Sequence, residues 1–113
     1  MAFDAVLADR LRELLAPHGP IREVKMFGGL AFMFQGHMCM CVRDDEIYVR
    51  LGQEGVAEAI AGGETQPFHP TGGKQALGLA TVPDAAALDD ADLERWVERS
   101  VRFVRTLPPK AVL

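Results

Sequence analysis

Apolar side chains change their spacing several times along this chain, and each change marks an element. Phe3, Val6, Leu7, Leu11, Leu14 and Leu15 recur at intervals of three and four, with Asp4, Asp9, Arg10, Arg12 and Glu13 between them. That period predicts an amphipathic helix from Ala2 to Ala16. Pro17, Gly19 and Pro20 end it, because proline lacks the amide that a helix needs and disfavours helix in the residue before it. Four strand-like runs follow, Ile21 to Phe27, Leu30 to Phe34, Met38 to Arg43 and Glu46 to Leu51. They are cut by Gly28-Gly29, Gln35-Gly36 and Asp44-Asp45, which predict bends and two-residue turns, so the runs form an antiparallel meander.

With Gln35-Gly36 and Asp44-Asp45 as the central turn residues, Phe34 faces His37, Phe32 faces Cys39, Arg43 faces Glu46 and Cys41 faces Tyr48. Opposed residues share a face of the sheet. One face then carries Ala31, Met33, Met38, Met40, Val42, Ile47, Val49 and Leu51, and this apolar set is expected under the helices. The other is mixed, with Leu30, Phe32, Phe34, His37, Cys39, Cys41, Arg43, Glu46, Tyr48 and Arg50. It holds more apolar area than a solvated face needs, so Leu30, Phe32, Phe34, Tyr48 and Arg50 are expected to form a self-association or partner surface. A slip of one residue would exchange the two sets.

Gln53 to Ala61 predicts a short second helix closed by Gly62-Gly63, and Thr65 to Lys74 a loop, with a possible short strand at Phe68-His69. Gln75 to Val82 alternates weakly and predicts a last strand. Asp89, with Asp92 three residues on and Leu88 placed to meet Leu93, opens a final helix. Its stripe runs through Leu93, Trp96, Val97, Ser100, Val101, Val104 and Leu107, and Pro108-Pro109 ends it. The fold class is therefore α+β in two layers, in the order α-β-β-β-β-α-β-α, with an antiparallel sheet of about five strands and helices on one face. At 113 residues the chain forms a single domain, 1–113.

Charge narrows the function classes. A net charge of −4 argues against nonspecific binding to a phosphate backbone, so no direct nucleic-acid contact is expected. No run approaches the roughly 20 apolar residues that cross a bilayer, and the N-terminus lacks a secretory pattern, so the chain is expected in the cytoplasm. Cys39 and Cys41 are too few for a disulfide framework and read as reduced thiols.

Candidate chemistry is sparse. His37, Cys39 and Cys41 are metal-ligand types, but alternate positions of one strand converge poorly on a tetrahedral ion, and small buried thiols explain them as well. No metal, cofactor or catalytic residue is expected, because nothing pairs a nucleophile with a base. Gly72-Gly73-Lys74 has part of a phosphate loop, yet Gln75 stands where a Ser or Thr is needed. Arg95, Arg99, Arg102 and Arg105 on the last helix are interleaved with Glu94 and Glu98, which fits a solvated face. Lys25, Arg43, Arg50 or Lys74 could serve a small-ligand or anion-binding site near the sheet, the alternative reading to a docking domain.

Met26-Phe27-Gly28-Gly29-Leu30, Gln35-Gly36-His37-Met38 and Asp44-Asp45-Glu46-Ile47-Tyr48-Val49-Arg50 come in an order and spacing that resemble the N-terminal domain of the TfoX/Sxy family. Ala80-Thr81-Val82-Pro83 and Leu93-Glu94-Arg95-Trp96-Val97 resemble that domain's last strand and helix, so the likeness spans nearly the whole chain. The resemblance implies helices on an antiparallel sheet, a homodimer, a transcription-factor protein partner and a role in regulating competence genes, with no catalytic residues. The chain ends at Leu113 without the second domain of full-length members, so a stand-alone domain is expected. Leu79-Ala80-Thr81 replaces a more aromatic strand, and tyrosine contacts there do not carry over.

Overall fold

Asp4 begins the first helix by accepting a hydrogen bond from the Leu7 amide at 3.0 Å. In the computed structural model, which describes residues 3–26, 28–67 and 78–109, this helix, α1, runs over Ala5–Leu15 and buries Leu7, Ala8, Leu11 and Leu15. Val6, expected on the apolar stripe, lies off it and is 69% exposed. A 3-10 turn over Ala16–His18 leads into β1 (Arg22–Met26), β2 (Gly29–Phe34), β3 (His37–Arg43) and β4 (Glu46–Arg50). Gln35 and Gly36 both take positive φ, 55° and 83°, as a two-residue hairpin turn demands.

The helix α2 (Gly52–Ala61) follows, then β5 (Gln66–Pro67) and β6 (Leu79–Val82). The sheet is antiparallel throughout, in the order β1-β2-β3-β4-β6-β5. It has six strands where about five were expected, the addition being the two-residue β5 within the expected loop. The possible strand at Phe68-His69 lies outside the described residues, as does the first part of the expected last strand. Asp89 caps α3 (Asp90–Val104) by accepting from the Asp92 amide at 2.9 Å, and Asp90 and Asp92 place negative charge where the helix dipole favours it.

One layer of apolar side chains joins sheet to helices. Leu7, Leu11 and Leu15 of α1, Val56 and Ala59 of α2, and Leu93, Trp96, Val97, Val101 and Val104 of α3 share a buried cluster with the sheet. Arg10 locks α1 to the segment before α3. Its guanidinium donates to the Leu88 carbonyl at 2.6 Å, the Ala86 carbonyl at 3.3 Å and the Asp90 carboxylate at 2.9 Å.

Gly29 starts β2 in close contact with β3, where an added Cβ would stand 2.1 Å from the Val42 carbonyl oxygen. Backbone cannot move aside as a flexible side chain can, so Gly29→Ala is expected to cost about 1–3 kcal/mol of stability. An unchanged urea midpoint would contradict this packing.

Candidate functional site

The site residues depend on how β3 pairs with β2. Phe34 lies opposite His37 and Met33 opposite Met38, but Phe32 lies opposite Met40. Cys39 is the additional residue, and β3 carries a bulge there. This corrects the expected pairing of Phe32 with Cys39. Beyond the bulge the alternation of β2 is reversed relative to β3, so Phe32 and Leu30 join Phe34, Met40 and Val42 beneath the helices. Ala31, Met33 and Met38, expected in that core, turn to the opposite face.

The expected partner surface is corrected accordingly. Leu30, Phe32 and Phe34 are buried in the helix-facing core, with Phe32 fully enclosed, while Tyr48 and Arg50 lie on the other face. Burying an aromatic ring of this size contributes several kcal/mol, so Phe32→Ala should destabilise the protein by about 3–5 kcal/mol in denaturant unfolding. A loss below about 0.5 kcal/mol, typical of a surface position, would refute the assignment.

Arg50 completes the bulge. Pairing of β3 with β4 begins at Met40 and Val49, which leaves the Met38 carbonyl beyond the ladder. The Arg50 guanidinium donates to that carbonyl through Nε at 2.6 Å. Burial pulls the Arg50 pKa down, though the group remains a cation at neutral pH. On the same face the Tyr48 hydroxyl donates to the Glu46 carboxylate at 3.1 Å and accepts from Arg43 at 3.4 Å. The apolar cluster here, Ala31, Met38, Cys41, Tyr48 and Leu79 with half-buried Met26 and Met33, consists of strand residues.

The other candidates are separated by the fold. Cys39 joins the helix-facing core and Cys41 the opposite cluster, while His37 Nε2 is 2.7 Å from the Pro108 carbonyl oxygen. Among the described residues no three metal-ligand side chains converge. Lys25 pairs with Leu30 on the helix side, whereas Arg43 follows Val42 onto the opposite face, so the two do not form one anion site. Lys74 lies outside the described residues. Along α3, Arg95 bonds to Asp92 at 2.6 Å, and Arg99 bonds to Glu64 at 3.3 Å while lying over the Trp96 ring. Sequence reasoning missed the bulge because none of Met38, Cys39 and Met40 takes a positive φ, so the bulge needs no glycine to mark it.

Burial pushes both thiols up to about 12, so neither is a thiolate nucleophile at neutral pH. The unfolded thiols ionise near pH 8.5, which gives the sign of the linkage. Stability from these groups is complete below that value and falls as pH rises towards 12. Cys39→Ala should flatten the alkaline fall in unfolding free energy, and a thiol reagent at mildly alkaline pH should label the native protein slowly and the denatured protein rapidly at two sites. Rapid labelling of the native chain would disprove the buried assignment.

No helix among the described residues is long and apolar enough to cross a membrane. Among curated proteins none matches the chain. A family model, TfoX N-terminal domain, matches residues 13–104, from the last turn of α1 to the end of α3. That match takes in the whole meander, the bulge, α2 and α3, and the chain belongs to the TfoX N-terminal domain family.

Proposed function

We propose that this chain is a non-catalytic regulatory domain of the cytoplasm that acts by docking, with a second copy of itself as its first partner. Family membership supports a competence-related regulatory role. The free edge of β1 carries the docking reading. Among the described residues β1 pairs with β2 alone, and the opposite end of the sheet is the short strand β5, blunted by Pro67. An exposed strand edge presents unpaired amides and carbonyls that another strand can complete.

The sequence of β1 is self-complementary about Val24. Antiparallel pairing across a two-fold axis at Val24 sets Glu23 opposite Lys25 of the second copy, twice over, and Arg22 opposite Met26. A slip of one residue sets Glu23 or Lys25 opposite Val24, and a slip of two sets Glu23 opposite Glu23 or Lys25 opposite Lys25, so the charges select one register. Arg12 holds Glu23 in place with hydrogen bonds of 2.6 and 2.9 Å, which also keep its carboxyl below the usual carboxylate range and therefore ionised. Half-buried Val24, Met26 and Met33 supply apolar area beside the edge. A transcription-factor partner would then meet the dimer, without direct DNA contact by this acidic domain.

Sedimentation of the full chain should give twice the 12.3 kDa subunit mass. Lys25→Glu sets carboxylates opposite one another and should give monomers, and adding Glu23→Lys should restore the dimer. Transcription of competence genes in the host cell should follow the mass through all three proteins. A wild-type monomer at the highest soluble concentration, or a Lys25→Glu protein that dimerises like wild type, would remove the β1 edge as the interface.

A further inference from the structure

A groove of about 440 Å³ opens beside the β1 edge, between the end of α1 and the start of the strand. Arg12, Ala16, Gly19, Pro20, Ile21 and Glu23 line it. Ile21 packs on the helix-facing core, which puts it on the same side of the sheet as Glu23 and Lys25. Ala16, Pro20 and Ile21 give the groove apolar surface, and its two charges already satisfy each other through the Arg12–Glu23 hydrogen bonds. A groove with its charges paired selects an apolar body, since a charged one would lose its hydration there without gaining a partner.

On the helix side the edge therefore offers three positions, each two residues from the next: the cation Lys25, the anion Glu23 and the groove at Ile21. A strand pairing antiparallel to β1 meets them in that order along its own direction. It needs an acidic residue, a basic residue two places on, and a bulky apolar residue two places further. The chain carries that series itself as Glu23-Val24-Lys25-Met26-Phe27. A two-fold axis at Val24 sets Ile21, three residues before it, opposite Phe27 of the second copy, three residues after it. Phe27 lies outside the described residues, and its place in the sequence alone fixes this pairing.

The pairing has use for such an anchor. Stable interfaces bury roughly 1,200–2,000 Å² and draw most of their affinity from a few side chains seated in pockets, aromatic ones above all. A strand of five residues with two Glu–Lys pairs supplies register but little seated apolar area. We infer that the groove is the anchor pocket of the β1 dimer and receives the Phe27 ring of the second copy. The relation is reciprocal, so each dimer holds two such anchors. This role rests on the β1 pairing proposed above and adds apolar selectivity to it, because a strand with the same charges and no bulky apolar residue at the third position would be held weakly.

Sedimentation equilibrium of the full chain should give a dimer dissociation constant at least about tenfold higher for Phe27→Ala than for wild type, the loss expected of a seated aromatic anchor. Ala16→Trp fills the groove from an exposed position and should weaken the dimer to a similar degree. It leaves Phe27 untouched, so it keeps the test open if Phe27→Ala does not fold. Neither variant alone can form an anchored dimer. In a mixed dimer, however, the open groove of the Phe27→Ala copy receives Phe27 of the Ala16→Trp copy. Native mass spectrometry of an equimolar mixture should therefore show mixed dimers above their statistical share. A statistical mixture, or Ala16→Trp with wild-type affinity, overturns the anchor role, while Lys25→Glu still tests the β1 pairing by itself. Wild-type affinity in Phe27→Ala beside a weakened Ala16→Trp excludes Phe27 and puts another segment of the second copy in the groove. A wild-type monomer removes the pairing and its anchor together.

Discussion

One inserted residue in β3, and the hydrogen bond that accommodates it, decides what this sheet presents on each side. Cys39 breaks the alternation between β2 and β3, and the carbonyl before it loses its place in the β4 ladder. A buried carbonyl without a donor costs about 1–3 kcal/mol, so the bulge persists only where a donor reaches it. Arg50 is that donor. The residue is a structural clamp, and the face it lies on has its own apolar cluster around Cys41 and Tyr48.

The reversal at the bulge has a packing rationale. It turns Leu30, Phe32 and Phe34 towards α1 and α3, where they fill the layer with Leu7, Leu11, Leu15, Val97 and Val101. Without it, the smaller Ala31 would have met those helices. Phe32, the largest fully enclosed side chain among the described residues, thus lies within this layer. Charged groups are arranged around this core in specific pairs: Arg10 ties α1 to the segment before α3, Arg12 holds Glu23 of β1, and Arg99 reaches Glu64 beyond α2. Exposed pairs of this kind contribute little stability individually, so their main consequence is orientation. The functional proposal rests on the outer edge of β1, whose Glu23 is held by Arg12.

Much of the architecture was legible in the residues. The capped start of α3 at Asp89, the Gln35-Gly36 turn, the meander and the two-layer class follow from interactions within a few residues of one another. The face assignment of β4 also held, with Ile47 and Val49 inward and Tyr48 and Arg50 outward. For β2 it failed, because period-two alternation carries no record of an insertion in the neighbouring strand. That failure removed Leu30, Phe32 and Phe34 from the expected surface. The short β5 was missed as well, since two residues containing a proline have no recognisable period.

The sequence by itself determined the helices, the turns, the order of strands along the chain and the family, because helical period, side-chain caps and positive-φ turns are settled locally. The tertiary structure decided which face of β2 became core and which basic residues came together. His18, Arg22 and Arg105 meet at one groove although the last lies more than eighty residues from the others. Such convergence is set by how helices and sheet share one apolar layer. The bulge at Cys39 is settled in the same way, by the simultaneous demands of β2, β4 and the helices on a strand that cannot satisfy all of them in one unbroken register.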